Sequence, residues 1–524
     1  MSRKLTTIYA DKSITGSGKS YAAIRHCINK QQKTLIVVPS LVLANEYKRD
    51  IDNYASNESI QTVTKIVTSE KTNAQQSTVS LLKQSFASVK TAQSATIITT
   101  HASFKLALLD GFTSFRGFHL LIDENIQLNS NTKCDLTEFT APGFLKWFDF
   151  TLTNNDLYEM RLKKSYEHVI HKLNVKTLQD DFINDSKIEF IDITKSTSFT
   201  TFITKDSYKR AQDVVNKGDV DGARVYTLSV INKEVLQKFT SVTILSALFD
   251  MSELRKYLEI SGFTIKYKKF SDRETEKHTN GSRLKIHYLT NRRNSINFKS
   301  LIRSENANMD NEDLMVSYFM KNVIKDNKFI VNNNVAAREK RVYTHYHALP
   351  DQHELDGQGV LVTATAGVNK YSHINYALYT TSRNVDNAEK DILEKFGIDE
   401  AYANADRNLL AAYQFIARTS IRDPDATDNV HICVIDKSTA DFLAELYPNA
   451  EIIKHDVPAL EDHAQYRLPL YRTAEGKSMR RVIKSYESGV RKFREDARKN
   501  FCDNYKQYPV PEYYEIYHFL KNYK

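Results

Sequence analysis

The sequence predicts an α/β protein divided into more than one domain. Three observations carry that reading. Near the N-terminus a β-branched and aromatic run, "TTIYA", leads through a glycine-containing turn into a helical pattern. Apolar runs that end in polar residues, "KTLIVVPS", "ATIITTH" and "FHLLIDEN", then recur along the chain between amphipathic stretches. The length, 524 residues, exceeds one ordinary core, so two to four domains are expected.

Composition narrows the class. An apolar share of 41% and a charged share of 26% are those of a soluble globular protein. No apolar run approaches the roughly 20 residues that span a bilayer, and "MSRKLTTIYADK" lacks the apolar centre of a signal peptide. A cytoplasmic location without membrane contact is therefore expected. Cys27, Cys134, Cys433 and Cys502 are widely separated and form no CxxC pair, which argues against a zinc finger, an iron–sulfur cluster and a disulfide framework. A net charge of +9 suits a polyanionic partner. Glycine is scarce, at 15 residues, so two within three positions stand out.

Those two lie in "SITGSGKSYAAI", Ser13 to Ile24. A strand precedes the loop, and Tyr21, Ile24 and Ile28 follow it at helical spacing. Gly16 and Gly18 let the backbone fold close to phosphates, and amides at the helix start point at the anion, as the helix dipole favours. Lys19 would reach the β- and γ-phosphates and Ser20 would bind Mg²⁺. Next, "ATIITTHASF" presents Thr99, Thr100 and His101 at a strand end, where hydroxyls and amides suit phosphate contacts that carry no sequence information. "FHLLIDEN" delivers Asp123 and Glu124 at the end of another strand. Metal-assisted phosphoryl transfer needs such a pair: Asp123 for the Mg²⁺ shell, Glu124 to orient and deprotonate the attacking water.

In the second half, "NKFIVNNN" reads as a strand running into a polar loop. "NLLAAYQFIARTSIRD" reads as a helix whose apolar face carries Leu409, Ala412, Phe415 and Ile416. Gln414, Arg418 and Arg422 fall at i, i+4 and i+8 and so share one side of it. Two guanidiniums there could reach a γ-phosphate across a cleft.

In this order, over residues 8 to 423, the segments resemble the motifs of a superfamily 2 helicase or translocase. Ser13 matches the small first position of that family's phosphate loop, usually Ala-x-Thr-Gly-x-Gly-Lys-Thr, and Thr15 its Thr. The resemblance adds Thr15, Gly16, Ser17 and Gly18 to the nucleotide site. In "KTLIVVPSLVLANEY" it implies a nucleic-acid contact at Pro39 and Ser40. In "SVTILSALFD", Ser246 and Ala247 resemble a Ser-Ala-Thr motif that couples hydrolysis to strand movement, with Leu248 in place of Thr. In "GVLVTATAGVNKYSHINYALY", Thr363 resembles a backbone contact and Gly367 a nucleotide contact, with shorter spacing than usual. The helix of Gln414, Arg418 and Arg422 resembles Gln-x-x-Gly-Arg-x-x-Arg, with Ala417 for Gly and the second Arg one residue later. "Asp-Glu-Asn-Ile" matches no named subgroup, and the stretch from residue 359 to 423 resembles viral and phage replicative helicases.

The implied architecture is two tandem RecA-like P-loop domains, 1–250 and 251–465. An insertion over about 130–238 interrupts the first, and a basic helical extension, 466–524, follows the second. The insertion shows a helical pattern in "LYEMRLKKSYEHVIHKL" and strand-like pieces in "KIEFIDITK" and "TSFTTFITK". It lacks the four cysteines of the iron–sulfur helicases. His345, His347 and His353 alternate along a strand-like stretch, which could hold a metal or simply line the second domain. The tail clusters Arg480, Arg481, Lys484, Arg491, Lys492 and Arg494, suited to a nucleic-acid backbone or to a solvated helix face.

The resemblance implies ATP and Mg²⁺ as cofactors and an ATP hydrolase of DNA helicase type. DNA is favoured over RNA, because no room precedes the loop for the adenine-reading motif of the RNA-remodelling family. Replication or recombination proteins are the partners it suggests. Two alternatives stand beside it: a viral DNA-packaging motor, which needs a nuclease the tail does not suggest, and a nucleotide-switched DNA- or origin-binding protein that does not unwind.

Overall fold

The structure is a computed structural model. It describes residues 5–68, 77–136, 141–153, 156–166, 192–217, 223–272, 276–299, 302–303, 306–332, 334, 371–385, 387–423, 425–461, 466–467, 482, 499 and 501–502.

Seven parallel strands form the first sheet: β1 (Thr7–Asp11), β2 (Lys33–Val38), β3 (Val63–Val67), β4 (Ala95–Thr100), β5 (His119–Asp123), β11 (Ser241–Leu245) and β12 (Thr264–Tyr267). Their order is β12-β1-β11-β5-β2-β4-β3. The apolar runs are strands because both faces of the sheet are covered. Leu35, Val37, Ile97, Leu120 and Ile122 point into one core, and Ile36, Val38, Ile98 and Leu121 into the other. Since all the strands are parallel, every polar strand end emerges at one edge. The loop before α1 (Lys19–Asn29), the turn before α2 (Leu41–Asn57), Thr100, Asp123 and Ser246 meet there. β12 lies past residue 250, so this sheet runs beyond the expected range 1–250.

β5 and β11 are sheet neighbours, yet the chain between them builds a separate antiparallel sheet of five strands. These are β6 (Asn129–Leu136), β7 (Phe148–Leu152), β8 (Leu157–Leu162), β9 (Phe199–Thr204) and β10 (Ala223–Ile231), in the order β6-β10-β9-β8-β7. The helix expected from Leu157 is instead β8, paired with β7 and β9. Met160 and Leu162 are buried with Arg161 exposed between them, so a two-residue alternation with partners on both sides prevails over the four-residue spacing. The strand expected at 197–205 is β9, whereas residues 192–195 of the earlier piece are helical.

Five parallel strands make the third sheet: β13 (Leu284–Tyr288), β16 (Ile330–Asn332), β17 (Tyr376–Tyr379), β18 (Val430–Val434) and β19 (Glu451–Lys454), in the order β16-β17-β18-β13-β19. The strand expected in "NKFIVNNN" is β16. β14 (Ile302–Arg303), β15 (Asn306–Asp310) and β20 (Tyr466–Arg467) form a small antiparallel sheet beside it. Two tandem α/β domains with parallel sheets are therefore present, as expected. The insertion rests on both. Leu157, Leu228 and Val230 share one apolar cluster with Tyr257 of the first domain and with Ile392 and Leu393 of the helix Asn387–Phe396 in the second. Among the described residues no helix is long and apolar enough to cross a membrane.

The second domain is fixed at its start by Gly281, just before β13. A Cβ there would stand 2.0 Å from the Pro448 carbonyl oxygen and 2.7 Å from the Tyr447 backbone. Backbone cannot swing aside as a side chain can, so Gly281→Ala is expected to cost about 2–4 kcal/mol. Urea unfolding followed by circular dichroism measures the loss.

Candidate active site

β1 ends in Asp11, which organises the loop after it. One Asp11 oxygen accepts from the Ser13 amide at 3.0 Å and from the Ser13 hydroxyl at 2.6 Å. The other accepts from the Phe270 amide at 2.9 Å. Gly16 and Gly18 both adopt positive φ, +85° and +80°, and Gly18 caps α1. Lys19 is buried, and its ammonium donates to the Ile14 carbonyl at 3.3 Å. Burial lowers its pKa; Asp123, Glu124 and Asp11 oppose that shift. The Ser20 hydroxyl donates to Asp123 Oδ1 at 2.7 Å, which joins the loop to the carboxylate strand.

Asp123 ends β5 with both oxygens engaged, since the Tyr47 hydroxyl of α2 donates to Oδ2 at 2.6 Å. Burial, reinforced by Glu124, pushes the Asp123 carboxyl up to about 6. Glu124 continues the ladder through its amide, which donates to the Leu245 carbonyl at 2.8 Å, but turns at φ +63°. That turn aims its side chain at the second domain, where Arg418 Nη2 lies 3.3 Å from Glu124 Oε1. Arg418 is only 3% exposed. Glu124 Oε2 and Arg418 Nε are buried with no hydrogen-bond partner among the described residues.

Around this pair lies a cavity of about 260 Å³. Thr15, Gly16, Gly18, Lys19, Ser20, Asp123 and Glu124 line one wall, and Gln414, Arg418 and Arg422 the other. The structure thus brings together the residues proposed for phosphate, metal and γ-phosphate contacts. It does so by a different local route in the second domain. The helix ends at Ile416, and Arg422 belongs to a short 3₁₀ turn, Ser420–Arg422. Thr419 breaks the helix: its hydroxyl donates to the Ile416 carbonyl at 2.7 Å and accepts from the Ile421 amide. Gln414, Arg418 and Arg422 are therefore not one face of one helix. Burial, then the neighbouring Arg418 charge, holds the Arg422 guanidinium below its ordinary range.

Residues 8–141 match the family model of the Type III restriction enzyme, res subunit. Over that stretch the chain resembles a superfamily 2 helicase. No curated protein matches it. Among solved structures it is similar to apo XPD, at 15% identity over 86% of this chain and 97% of that one, with a TM-score of 0.48. Similarity also extends to S. cerevisiae Dbp5 bound to RNA and ADP BeF3, at 10% identity over 87% of this chain and 86% of that one, TM-score 0.37. A third is the DUF1998 helicase MrfA bound to DNA, at 12% identity over 86% of this chain and 50% of that one, TM-score 0.33.

Other expected site residues take varied places. Ser246 is buried and its amide donates to the Asp11 carbonyl at 3.1 Å; Ala247 lines the cavity. Ile14 and Ala247 pack into the apolar core of the second domain, so the two halves touch directly beneath the site. Ser40 caps α2, accepting from the Leu43 amide at 3.2 Å, with Pro39 half-buried beside it. Thr100 caps the helix His101–Leu109. Thr99 and His101 correct the expectation of strand-end nucleic-acid contacts. Thr99 is 0% exposed, within a strand buried on both faces, and its hydroxyl donates to the Val67 carbonyl at 2.8 Å. His101 turns toward the main chain of β5, Nε2 at 2.9 Å from the Asp123 carbonyl, and burial pulls its pKa down to about 4. Thr363, Gly367, the three histidines and the basic cluster of the tail lie outside the described residues.

Two tyrosines join the site without sequence warning. Tyr47 holds Asp123 from α2. Tyr413 is fully buried in the second domain, and its hydroxyl accepts from the Thr15 amide at 2.9 Å while facing His278 Nε2 at 2.8 Å. The only trace of Tyr47 in the sequence is its spacing with Ala44 and Ile51 on the buried face of α2.

The Asp123 environment has a measurable consequence. Its folded-state pKa of about 6 lies above the unfolded value, near 4. The folded chain therefore binds this proton more tightly, and the charged carboxylate subtracts stability above pH 6 but not below about pH 4. In magnesium-free buffer, Asp123→Asn is expected to stabilise the chain by about 1–3 kcal/mol at pH 8. The gain should shrink as the pH falls from 6 toward 4. Thermal unfolding across that range tests it, and a gain independent of pH would refute the assignment.

Proposed function

We propose that the chain is an ATP-dependent helicase or translocase that moves along a nucleic-acid strand, with DNA as the track. One observation supports this most: the 3.3 Å approach of Arg418 to Glu124 across the cavity. It joins a first-domain carboxylate suited to activating water with a second-domain cation suited to a γ-phosphate. In this reading Thr15, Gly16, Ser17, Gly18 and Lys19 cradle the phosphates of ATP. Ser20 and Asp123 hold Mg²⁺; both are preorganised by their mutual hydrogen bond, and the buried polar atoms of Glu124 and Arg418 without partners fit a bound triphosphate and water. Bound Mg²⁺ would neutralise phosphate charge and keep the reacting groups in line.

Glu124 orients the attacking water and takes its proton. Arg418 and Arg422 bind the terminal phosphate, so ATP draws the walls together and phosphate loss weakens that tie. Ile14 and Ala247, packed into the second core, carry the change to Ser246 and β11. The track lies at the strand-end edge near Ser40 and Thr100, where helix starts favour phosphate. The matching family model, that of a restriction-enzyme subunit, supports DNA. Glu124 beside Asp123 disfavours a switch protein that only binds nucleotide.

ATPase assays with single-stranded DNA, duplex DNA and RNA in parallel test the proposal. Single-stranded DNA is expected to raise the rate most. Lys19→Ala, Glu124→Gln and Arg418→Ala should each lower kcat about 100-fold or more. If no nucleic acid raises the rate, the motor reading fails, even should ATP be hydrolysed.

A further inference from the structure

Ser20, Tyr47 and His101 each donate a hydrogen bond to Asp123, and two of these donors come from helices that start at the strand-end edge. Those helices are α2, capped by Ser40, and the helix His101–Leu109, capped by Thr100. Tyr47 is buried about two turns along α2 from its cap, and its hydroxyl donates to Asp123 Oδ2 at 2.6 Å. His101 opens the other helix, and its Nε2 meets the Asp123 carbonyl at 2.9 Å. A carbonyl only accepts, so that nitrogen carries the proton.

The His101 contact bears on Glu124. Pairing between β5 and β2 ends at Ile122 and Val37, so the Asp123 carbonyl lies past the last β2 partner and His101 answers it instead. At the other end of the same peptide unit, the Glu124 amide donates to the Leu245 carbonyl at 2.8 Å. That planar unit is therefore gripped on both sides. Glu124 departs from it at φ +63°, a conformation that a residue with a side chain holds only when its surroundings enforce it. Tyr47 meanwhile leaves the Asp123 carboxylate one orientation, with Oδ1 toward Ser20.

We propose that Tyr47 and His101 are positioning residues that relay engagement of a single strand to the hydrolytic pair, Tyr47 by setting the Asp123 carboxylate and His101 by setting the Glu124 turn. The inference rests on the motor reading for the track and for the roles of Asp123 and Glu124, and goes beyond it by naming the route between them. A helix keeps its register over two turns, so phosphate held at the two helix starts fixes both donors. The carboxylates then stand in register with metal and water most often when the track is filled. His101, turned away from the strand itself, thereby acquires a role next to it.

The full-length chain tests this, with ATP hydrolysis measured with and without saturating oligo-dT, and binding of labelled oligo-dT followed by anisotropy. In Tyr47→Phe and His101→Ala the stimulation, the ratio of the two rates, is expected to fall about fivefold or more through kcat, while KM for ATP and oligo-dT affinity change less than about twofold. His101→Gln, whose amide N–H can reach the same carbonyl, should recover most of the stimulation. Amide hydrogen exchange over residues 120–126 gives a readout apart from hydrolysis: oligo-dT should slow it about tenfold in the native chain and not in either variant. Tyr47→Phe removes one oxygen and keeps the ring in its apolar cluster, so it decides even where His101→Ala does not fold. Basal and stimulated rates that fall in equal proportion, oligo-dT affinity that falls in step with rate, or no recovery in His101→Gln would overturn the relay alone. A native chain that no nucleic acid stimulates would sink the motor reading and the relay with it.

Discussion

A guanidinium almost sealed from water, facing a carboxylate 294 positions away, is the constraint on which the arrangement of this chain depends. Separating Arg418 from Glu124 inside the cleft would leave two poorly solvated charges, and removing one partner of such a pair commonly costs several kcal/mol. The pair is also incomplete, since each partner keeps a buried polar atom unanswered among the described residues. A fully satisfied bridge would lock the domains. An unsatisfied one leaves the closed form open to a ligand that supplies the missing contacts, and that difference in contacts allows a ligand to shift a conformational equilibrium. Lys19 stands in the same condition, buried and settled on a backbone carbonyl.

The parallel sheet explains why so few residues suffice. Because β1, β2, β4, β5 and β11 all run one way, their polar ends converge at one edge without any further device. Asp123 and Ser20 need only one hydrogen bond to join two of those ends. The insertion does not disturb this, since it leaves after β5 and returns before β11, its neighbour in the sheet. It does add a second contact with the second domain, through Leu157, Leu228 and Val230 against the helix Asn387–Phe396. Parting the two domains would therefore also separate an apolar surface outside the cavity, at a cost to which the insertion contributes.

What the sequence makes legible is local. The strand, glycine turn and helix from Thr7 to Asn29 are legible because both glycines are needed at positive φ, and the Asp-Glu pair because an apolar strand before it leaves few other roles. Direction is harder to read. Thr99 and Thr100 are adjacent and chemically alike, but Thr99 lies inside a strand covered on both faces, whereas Thr100 stands at its partly open end. His101 has the position of a solvent-facing residue at a strand end, whereas the Asp123 carbonyl draws it inward. The arginines reach the expected site by another path: helical periodicity does not extend through Thr419, a residue whose hydroxyl competes for backbone groups and ends the helix. Tyr47 and Tyr413 have no local signature, because their partners come from another strand and another domain.

Ser13 shows how such distant partners can explain a departure in one motif. A glycine at that position would weaken two restraints on the geometry of Asp11: the hydroxyl donor would vanish and the amide would be held less firmly. Asp11 does more than finish β1. Its second oxygen takes the Phe270 amide, and Phe270 begins the segment that leads to the second domain, where Ser271 donates to the Ser17 carbonyl at 2.7 Å. A hydroxyl at the first loop position thus keeps one carboxylate aligned to hold the phosphate loop and the interdomain connection together. The loop and the segment from Phe270 share one carboxylate, so a displacement of either disturbs a hydrogen bond that the other also depends on.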